Sequence, residues 1–208
     1  MGHLFLDIET YAAKDMKETA LNPYLPGSKV LFIAYNYYEG DKPPVKKSIK
    51  KPEYLAEWQG GEKKMLLTFL SMMQRLQRKD KNLKIHGFNI LHFDLPYLFG
   101  RMRSHKIADE QKIYDILFNT VGFDMMQLGS MLSDKERRRE ALWGLNEQEV
   151  NKFFGIQTVE GTDTDCSRLY DSGKKGEIIE KCLAEFNYEQ MLNSFYLYVQ
   201  ELSEGGQN

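Results

Sequence analysis

The stretch LFLDIETY, Leu4 to Tyr11, runs an apolar segment into two carboxylates separated by one residue. In a β-strand, residues two apart point to the same face, so Asp7 and Glu9 project side by side. Like charges so placed repel, and the arrangement is expensive unless something positive lies between them. Residues 3–8 therefore read as a strand that ends in chemistry.

Working outward, residues 29–38 (KVLFIAYNYY) are rich in β-branched and aromatic side chains and follow a Pro26-Gly27 turn, which predicts a second strand of the same sheet. Tyr11 to Leu25 is polar and irregular and reads as a loop with a short helical turn. Residues 40–52, with paired prolines and two Lys-Lys pairs, read as a solvated turn between edge strands; a phosphate-contacting arm is the sharper alternative. Met65, Leu66, Phe69, Leu70 and Met73 recur at helical spacing and predict an amphipathic helix over 62–76, its methionines filling core. Residues 83–88 alternate and predict a third strand. A helix is expected to start near Leu95, with Pro96 in its first turn.

A chain of 208 residues that is 42% hydrophobic can bury one good core. The expectation is a single domain over 1–201 followed by a disordered polar tail over 202–208. The formal net charge of -2 gives no bulk electrostatic pull toward nucleic acid, so any such binding needs a local basic patch or bound metal. Cys166 and Cys182 are the only thiols, and neither a leader-like segment nor an apolar run of membrane-spanning length is present. A reducing, cytoplasmic setting without a membrane partner is expected.

The third strand opens a second suggestive run, HGFNILHFDLPYL, from His86 to Leu98. Asp94 stands two residues before Pro96, near the expected helix N-cap, and Asn89 lies in the connecting loop. Taken alone, Asp94 reads as a cap, Asn89 as a loop residue and His92 as an exposed histidine.

Together the two runs resemble a known family. A strand ending in Asp-x-Glu-Thr, then about 80 residues later Gly-Phe-Asn-x-x-x-Phe-Asp-x-Pro-Tyr-Leu, is similar to the first two motifs of the DEDD (DnaQ-like) 3′→5′ exonucleases. The likeness is greatest to the proofreading domain of family B DNA polymerases and its stand-alone relatives. Asp7, Glu9 and Thr10 match the first motif; Asn89, Phe93, Asp94, Pro96, Tyr97 and Leu98 match the second. Residues 123–128 (FDMMQL) resemble a later family segment, with Asp124 read as structural. Trp143 to Ile156, with Leu145, Val150 and Phe154 before Gly155, looks like the short helix that precedes the family's third motif. The fold so implied is α/β, an RNase H-like mixed sheet flanked by helices, with the acids at strand ends and helix starts.

The third motif departs from the pattern. The family places Tyr or His on a helix four residues before Asp; in Ile178 to Gln190, aligning on Cys182 puts Lys181 at the first position and Glu185 at the second. Ile178, Cys182, Glu185, Glu189 and Leu192 share a helical stripe, so Glu185 reads as a fourth inward carboxylate. The competing reading is a surface ion-pair ladder of Glu177, Lys181 and Glu185. Lys181 is charged at neutral pH and suits an electrostatic role better than water activation. Tyr188 in another register, or His92 from the loop, remain open for the aromatic role.

The resemblance implies two Mg²⁺ or Mn²⁺ ions about 4 Å apart, held by Asp7, Glu9, Asp94 and Glu185, with Asp7 bridging. It implies a metal-dependent 3′→5′ exonuclease that releases nucleoside 5′-monophosphates. The substrate is single-stranded DNA, or RNA, with a free 3′ end. Thr10 would meet that end, Asn89 would help hold the displaced strand or the metal-site loop, Phe93 is counted among the substrate-binding residues, and Tyr11 could stack on a base. Tyr97, on a helix, reads as packing. Arg101, Arg103 and Lys106, or Arg137 to Arg139, could track a backbone, but charge runs on helices are usually solvated faces. A replication or repair protein is the partner such a domain implies. The rival expectation, motivated by Lys181 and Glu185, is a degenerate nuclease-like module that binds nucleic acid or protein without turnover; a weaker third is endonuclease or RNase H-type activity.

Overall fold

The computed structural model describes residues 1–42, 44–131, 146–157 and 165–205. Arg137 to Arg139, Trp143 and Leu145 lie outside the described residues. Among the described residues, five strands form one sheet: β1 (Gly2–Thr10), β2 (Val30–Glu39), β3 (Glu53–Ala56), β4 (Leu83–Gly87) and β5 (Val121–Asp124), in the order β3-β2-β1-β4-β5. β1 pairs antiparallel with β2 and parallel with β4; β2–β3 is antiparallel and β4–β5 parallel. This mixed sheet flanked by helices is the RNase H-like α/β arrangement. The three expected strands are present, and β3 and β5 are additions at the two edges.

Period-two alternation sends the residues of β1 to two different cores. Leu4, Leu6 and Ile8 pack with α1 (Glu62–Lys79), α2 (Asp94–Ser104) and α3 (Glu110–Phe118) through Leu66, Phe69, Met73, Leu98 and Ile113. On the opposite face Phe5 packs with Phe32, Ala34 and Met125 and with residues of α5 (Glu147–Phe153), α6 (Cys166–Asp171), α7 (Lys175–Glu185) and α8 (Tyr188–Gly205). α4 (Met125–Met131) leads directly out of β5. Asp7 and Glu9 continue the Phe5 face and point toward α7 and α8.

Glu62, buried at the start of α1, joins the first helical layer to the sheet. Its carboxylate accepts the Val30 N–H at 2.8 Å, Arg101 Nε and Nη2 at 2.9 and 2.7 Å, and lies 2.6 Å from His105 Nε2. Arg101 is therefore a structural partner, not a free backbone contact. The segment over 11–25 holds a 3-10 turn at Lys17–Ala20, as expected for a loop with one short helical turn, and a second 3-10 turn spans Lys46–Ser48. α8 runs on to Gly205, so residues 202–205 of the expected tail are helical. Among the described residues, no helix is long and apolar enough to cross a membrane.

Candidate active site

The carboxylates meet because β4 stops early. Its pairing with β1 ends at Phe5↔His86, and at Gly87 the chain turns away so close to β1 that a Cβ would stand 2.7 Å from the Leu6 carbonyl oxygen. The loop that follows is tied down by Asp124, which accepts the backbone N–H groups of Asn89, Leu91 and Met126 at 2.8, 3.2 and 3.0 Å. Asn89 adopts a left-handed φ of 57°, a conformation Asn tolerates. Asp94 is thereby brought to the β1 backbone beyond the end of the β4 ladder, where its Oδ1 accepts the Ile8 N–H at 3.1 Å. The cap reading of Asp94 fails: Phe93 holds the N-cap position, no side chain caps α2, and Asp94 is the first helical residue.

Asp7 and Glu9 flank that amide on β1. A register irregularity between Glu9 and Thr10 distorts the strand just there, a common feature beside functional sites. Asp7 is held well above the usual carboxylate range by burial, then by the charges of Asp94, Glu9 and Glu147. Asp94 is pushed up to about 8 by burial, against the two backbone N–H groups that favour its charged form, with Asp124 and Glu9 adding to the rise. Burial raises Glu9 as well, and Lys181 opposes it.

α7 and α8 close the site. Lys181 and Glu185 form an i,i+4 pair at 2.8 Å, as a surface ladder would, yet Lys181 Nζ also lies 3.8 Å from Glu9 Oε1. Burial works against the Lys181 charge, but Glu9 and Glu185 more than offset it and raise its pKa. The continuous stripe from Ile178 to Leu192 is not formed: α7 ends at Glu185, Phe186 is extended, and α8 starts at Tyr188. That break delivers the buried Tyr188 hydroxyl to Asp7, where it donates to Oδ1 at 3.0 Å. Burial, followed by the Asp7 charge, holds the phenol well above its ordinary value.

Glu147 was not singled out from sequence. It opens α5, next to the Asn146–Glu149 capping box, and is pushed up to about 7 by burial and then by Glu185 and Glu9. Its only sequence signal was its place at the helix preceding the third motif. Cys166 and Cys182 also face Glu9. The Cys182 thiol donates to Glu9 Oε1 at 3.8 Å, and Cys166, Cys182 and Glu9 offer ligand atoms that all lie within 4.8 Å of one another.

The residues expected at the substrate are more dispersed. Thr10 Oγ1 donates to the Ala20 carbonyl at 2.8 Å. Tyr11 donates to Asp171 at 2.8 Å and packs on Tyr170 beneath Lys29, so its ring already has neighbours. Phe93 packs at a tilt on Tyr97, and both line an apolar hollow with His92, Tyr24 and Phe99. Tyr97 is buried and donates to the Thr19 carbonyl, as packing requires. His92 is exposed in that loop.

The fold has a solved counterpart. The chain is similar to a family B DNA polymerase from the hyperthermophilic archaeon Pyrobaculum calidifontis, with a TM-score of 0.51 and 14% sequence identity over 97% of this chain and 24% of that one. This chain thus spans about a quarter of the polymerase it matches. No protein-family model and no curated protein matches the sequence. The class so defined is an α/β, RNase H-like domain with the fold of part of a family B polymerase.

Proposed function

We propose that this chain is a metal-dependent 3′→5′ exonuclease of the DEDD type, removing nucleoside 5′-monophosphates from single-stranded nucleic acid, DNA before RNA. The observation that carries this reading is the convergence of Asp7, Glu9 and Asp94 at one strand end, with Glu185 and Tyr188 supplied by the next two helices. The raised carboxylates are what a cation site looks like in protonated form, since like charges this close need a proton or a cation between them. The likeness to part of a DNA polymerase supports the same reading at the level of fold.

All-oxygen donors suit a hard divalent ion, and Asp7, Glu9, Asp94 and Glu185 would hold Mg²⁺ or Mn²⁺. Bound there, two such ions would lower the pKa of a water and offset charge on the attacking and leaving oxygens. Tyr188 orients Asp7 through its hydroxyl and fills the aromatic role left vacant by Lys181. Lys181 holds Glu9 and Glu185 in place and lends positive charge for a phosphate oxygen. Asp124 acts one step removed, by fixing the loop that carries Asp94.

A second reading draws on Lys181 itself. An ammonium 3.8 Å from Glu9 and 2.8 Å from Glu185 can stand in for a cation, leaving a module that binds nucleic acid or a replication or repair protein without turnover. A 5′-labelled single-stranded oligonucleotide, incubated with Mg²⁺, Mn²⁺ or EDTA, separates the two. The exonuclease yields a metal-dependent ladder shortening from the 3′ end and leaves a circular strand intact. A folded protein that retards the strand without shortening it is the binding module, and cutting of the circle is endonucleolytic.

A further inference from the structure

Beside the oxygen-rich set lies a chemically different one. Cys166 opens α6 and Cys182 sits mid-way along α7; both are free thiols, 4% and 1% exposed, and both turn toward Glu9. Neither thiol has a part in phosphodiester hydrolysis as proposed above. Tetrahedral zinc, about 2.3 Å from sulfur and about 2.0–2.2 Å from carboxylate oxygen, sets its donors roughly 3.5–3.8 Å apart. Cys182 Sγ and Glu9 Oε1 already stand at 3.8 Å, and the triad as a whole lies within 4.8 Å, so the donors need close by no more than about 1 Å to reach zinc spacing.

We propose that Glu9, Cys166 and Cys182 form a thiolate metal site for Zn²⁺, distinct in donor chemistry from the Mg²⁺ or Mn²⁺ set but sharing Glu9 with it. Soft sulfur selects zinc over magnesium, and three protein ligands leave the fourth position to water. Charge also closes: two thiolates and a carboxylate carry three negative charges, the ion cancels two, and the Lys181 ammonium, 3.8 Å from Glu9, faces the third. On binding, both S–H bonds break, two metal–sulfur bonds form and two protons pass to solvent. The site therefore exchanges hydrogen bonds donated to Glu9 for a shared cation.

The consequence rests on the exonuclease reading: zinc at the thiols draws Glu9 away from the oxygen set, so Zn²⁺ inhibits turnover supported by Mg²⁺. The binding itself is testable without nucleic acid. The full chain, reduced and metal-stripped, is titrated with Co²⁺ and followed by near-ultraviolet absorption, then back-titrated with Zn²⁺. A sulfur-to-cobalt charge-transfer band that saturates at one equivalent, resists excess Mg²⁺ and is displaced by Zn²⁺ is the expected result. Cys166→Ser and Cys182→Ser abolish the band or weaken cobalt binding by at least about tenfold, and Glu9→Gln, which keeps both thiols and serves where a serine variant fails to fold, weakens it similarly. A folded, reduced wild type with no such band, or a band unchanged in the Cys166→Ser/Cys182→Ser double variant, overturns the proposal. Because no substrate is present, that failure is separate from any failure of the nuclease assay.

Discussion

The Tyr188 hydroxyl donates to Oδ1 of Asp7 at 3.0 Å, across 181 positions of sequence. The bond ties the start of α8 to the end of β1 and gives the Asp7 carboxylate a fixed orientation. Tyr188→Phe keeps the ring and removes the donor. A hydrogen bond to a charged group contributes about 1.5–3 kcal/mol, so kcat is expected to fall by about ten- to a hundredfold while the melting temperature falls by several degrees and the variant still folds. Steady-state kinetics beside a melting curve check this; wild-type kcat in the folded variant would return the aromatic role to another residue.

Glu62 anchors structure and not chemistry. Burial works against its charge, yet the hydrogen bonds from Arg101, His105 and Val30 hold its pKa below the usual value. Glu62→Ala leaves the nearly buried Arg101 guanidinium without its carboxylate, still holding the Pro23 carbonyl, and the Val30 N–H without its acceptor. Breaking a buried pair from one side costs about 3–5 kcal/mol, to be read from urea unfolding. A loss under about 1 kcal/mol, the scale of exposed pairs, contradicts this account of α1 and α2.

The site carboxylates make metal-free stability depend on pH. Asp94 stands at about 8 in the folded chain against 3.8 ordinarily, so the fold favours its protonated form. That contribution is complete below about pH 4 and is lost as pH rises toward about 8. In EDTA the urea midpoint is expected to fall from pH 5 to pH 8, Asp94→Asn flattens the fall, and Mn²⁺ restores more at pH 8 than at pH 5. An equal fall in Asp94→Asn would assign it elsewhere.

His86 acts with the opposite sign. It is stacked on His3, Phe5 and Phe123 in the sheet, and burial, then the charges of His3 and Lys84, press it down to about 3 from 6.5. Its neutral form is favoured by folding, so stability is full above about pH 6.5 and declines as pH falls toward about 3. His86→Phe keeps an aromatic ring in the stack, and the acid limb of its stability curve is expected to be shallower than that of wild type. An unchanged limb would place the acid sensitivity in other groups.

The legible parts of the sequence are those where one period governs a long segment. The apolar run that begins at Leu4 and the helical spacing from Met65 to Met73 each report burial, and each element is present. β3 and β5 escaped notice because four residues are too few to establish a period, and both lie at sheet edges. Taken alone, Asp94 suggests only a cap, because local sequence does not reveal that the β4 ladder ends early and frees the Ile8 amide. Tyr188 stood in the sequence as one of two open candidates for the aromatic role, and Glu147 was not singled out, for a related reason. Tyr188 reaches Asp7 only because the helix breaks at Phe186 and Asn187, and Glu147 reaches the acids only through tertiary packing. Lys181 was legible as a departure from the family pattern, and its i,i+4 pairing with Glu185 as one rung of a ladder, while its approach to Glu9 required the fold.

The central claim is that Asp7 organises a hydrolytic cation site. Its most direct test is the rate of 3′-terminal nucleotide release from single-stranded DNA in Mn²⁺, measured side by side for wild type and Asp7→Asn. Metal stabilisation of transition-state charge amounts to several kcal/mol, so the account predicts a wild-type ladder and a loss of at least about a hundredfold in a variant that remains folded. Release at the same rate in both proteins, or in neither, would contradict it.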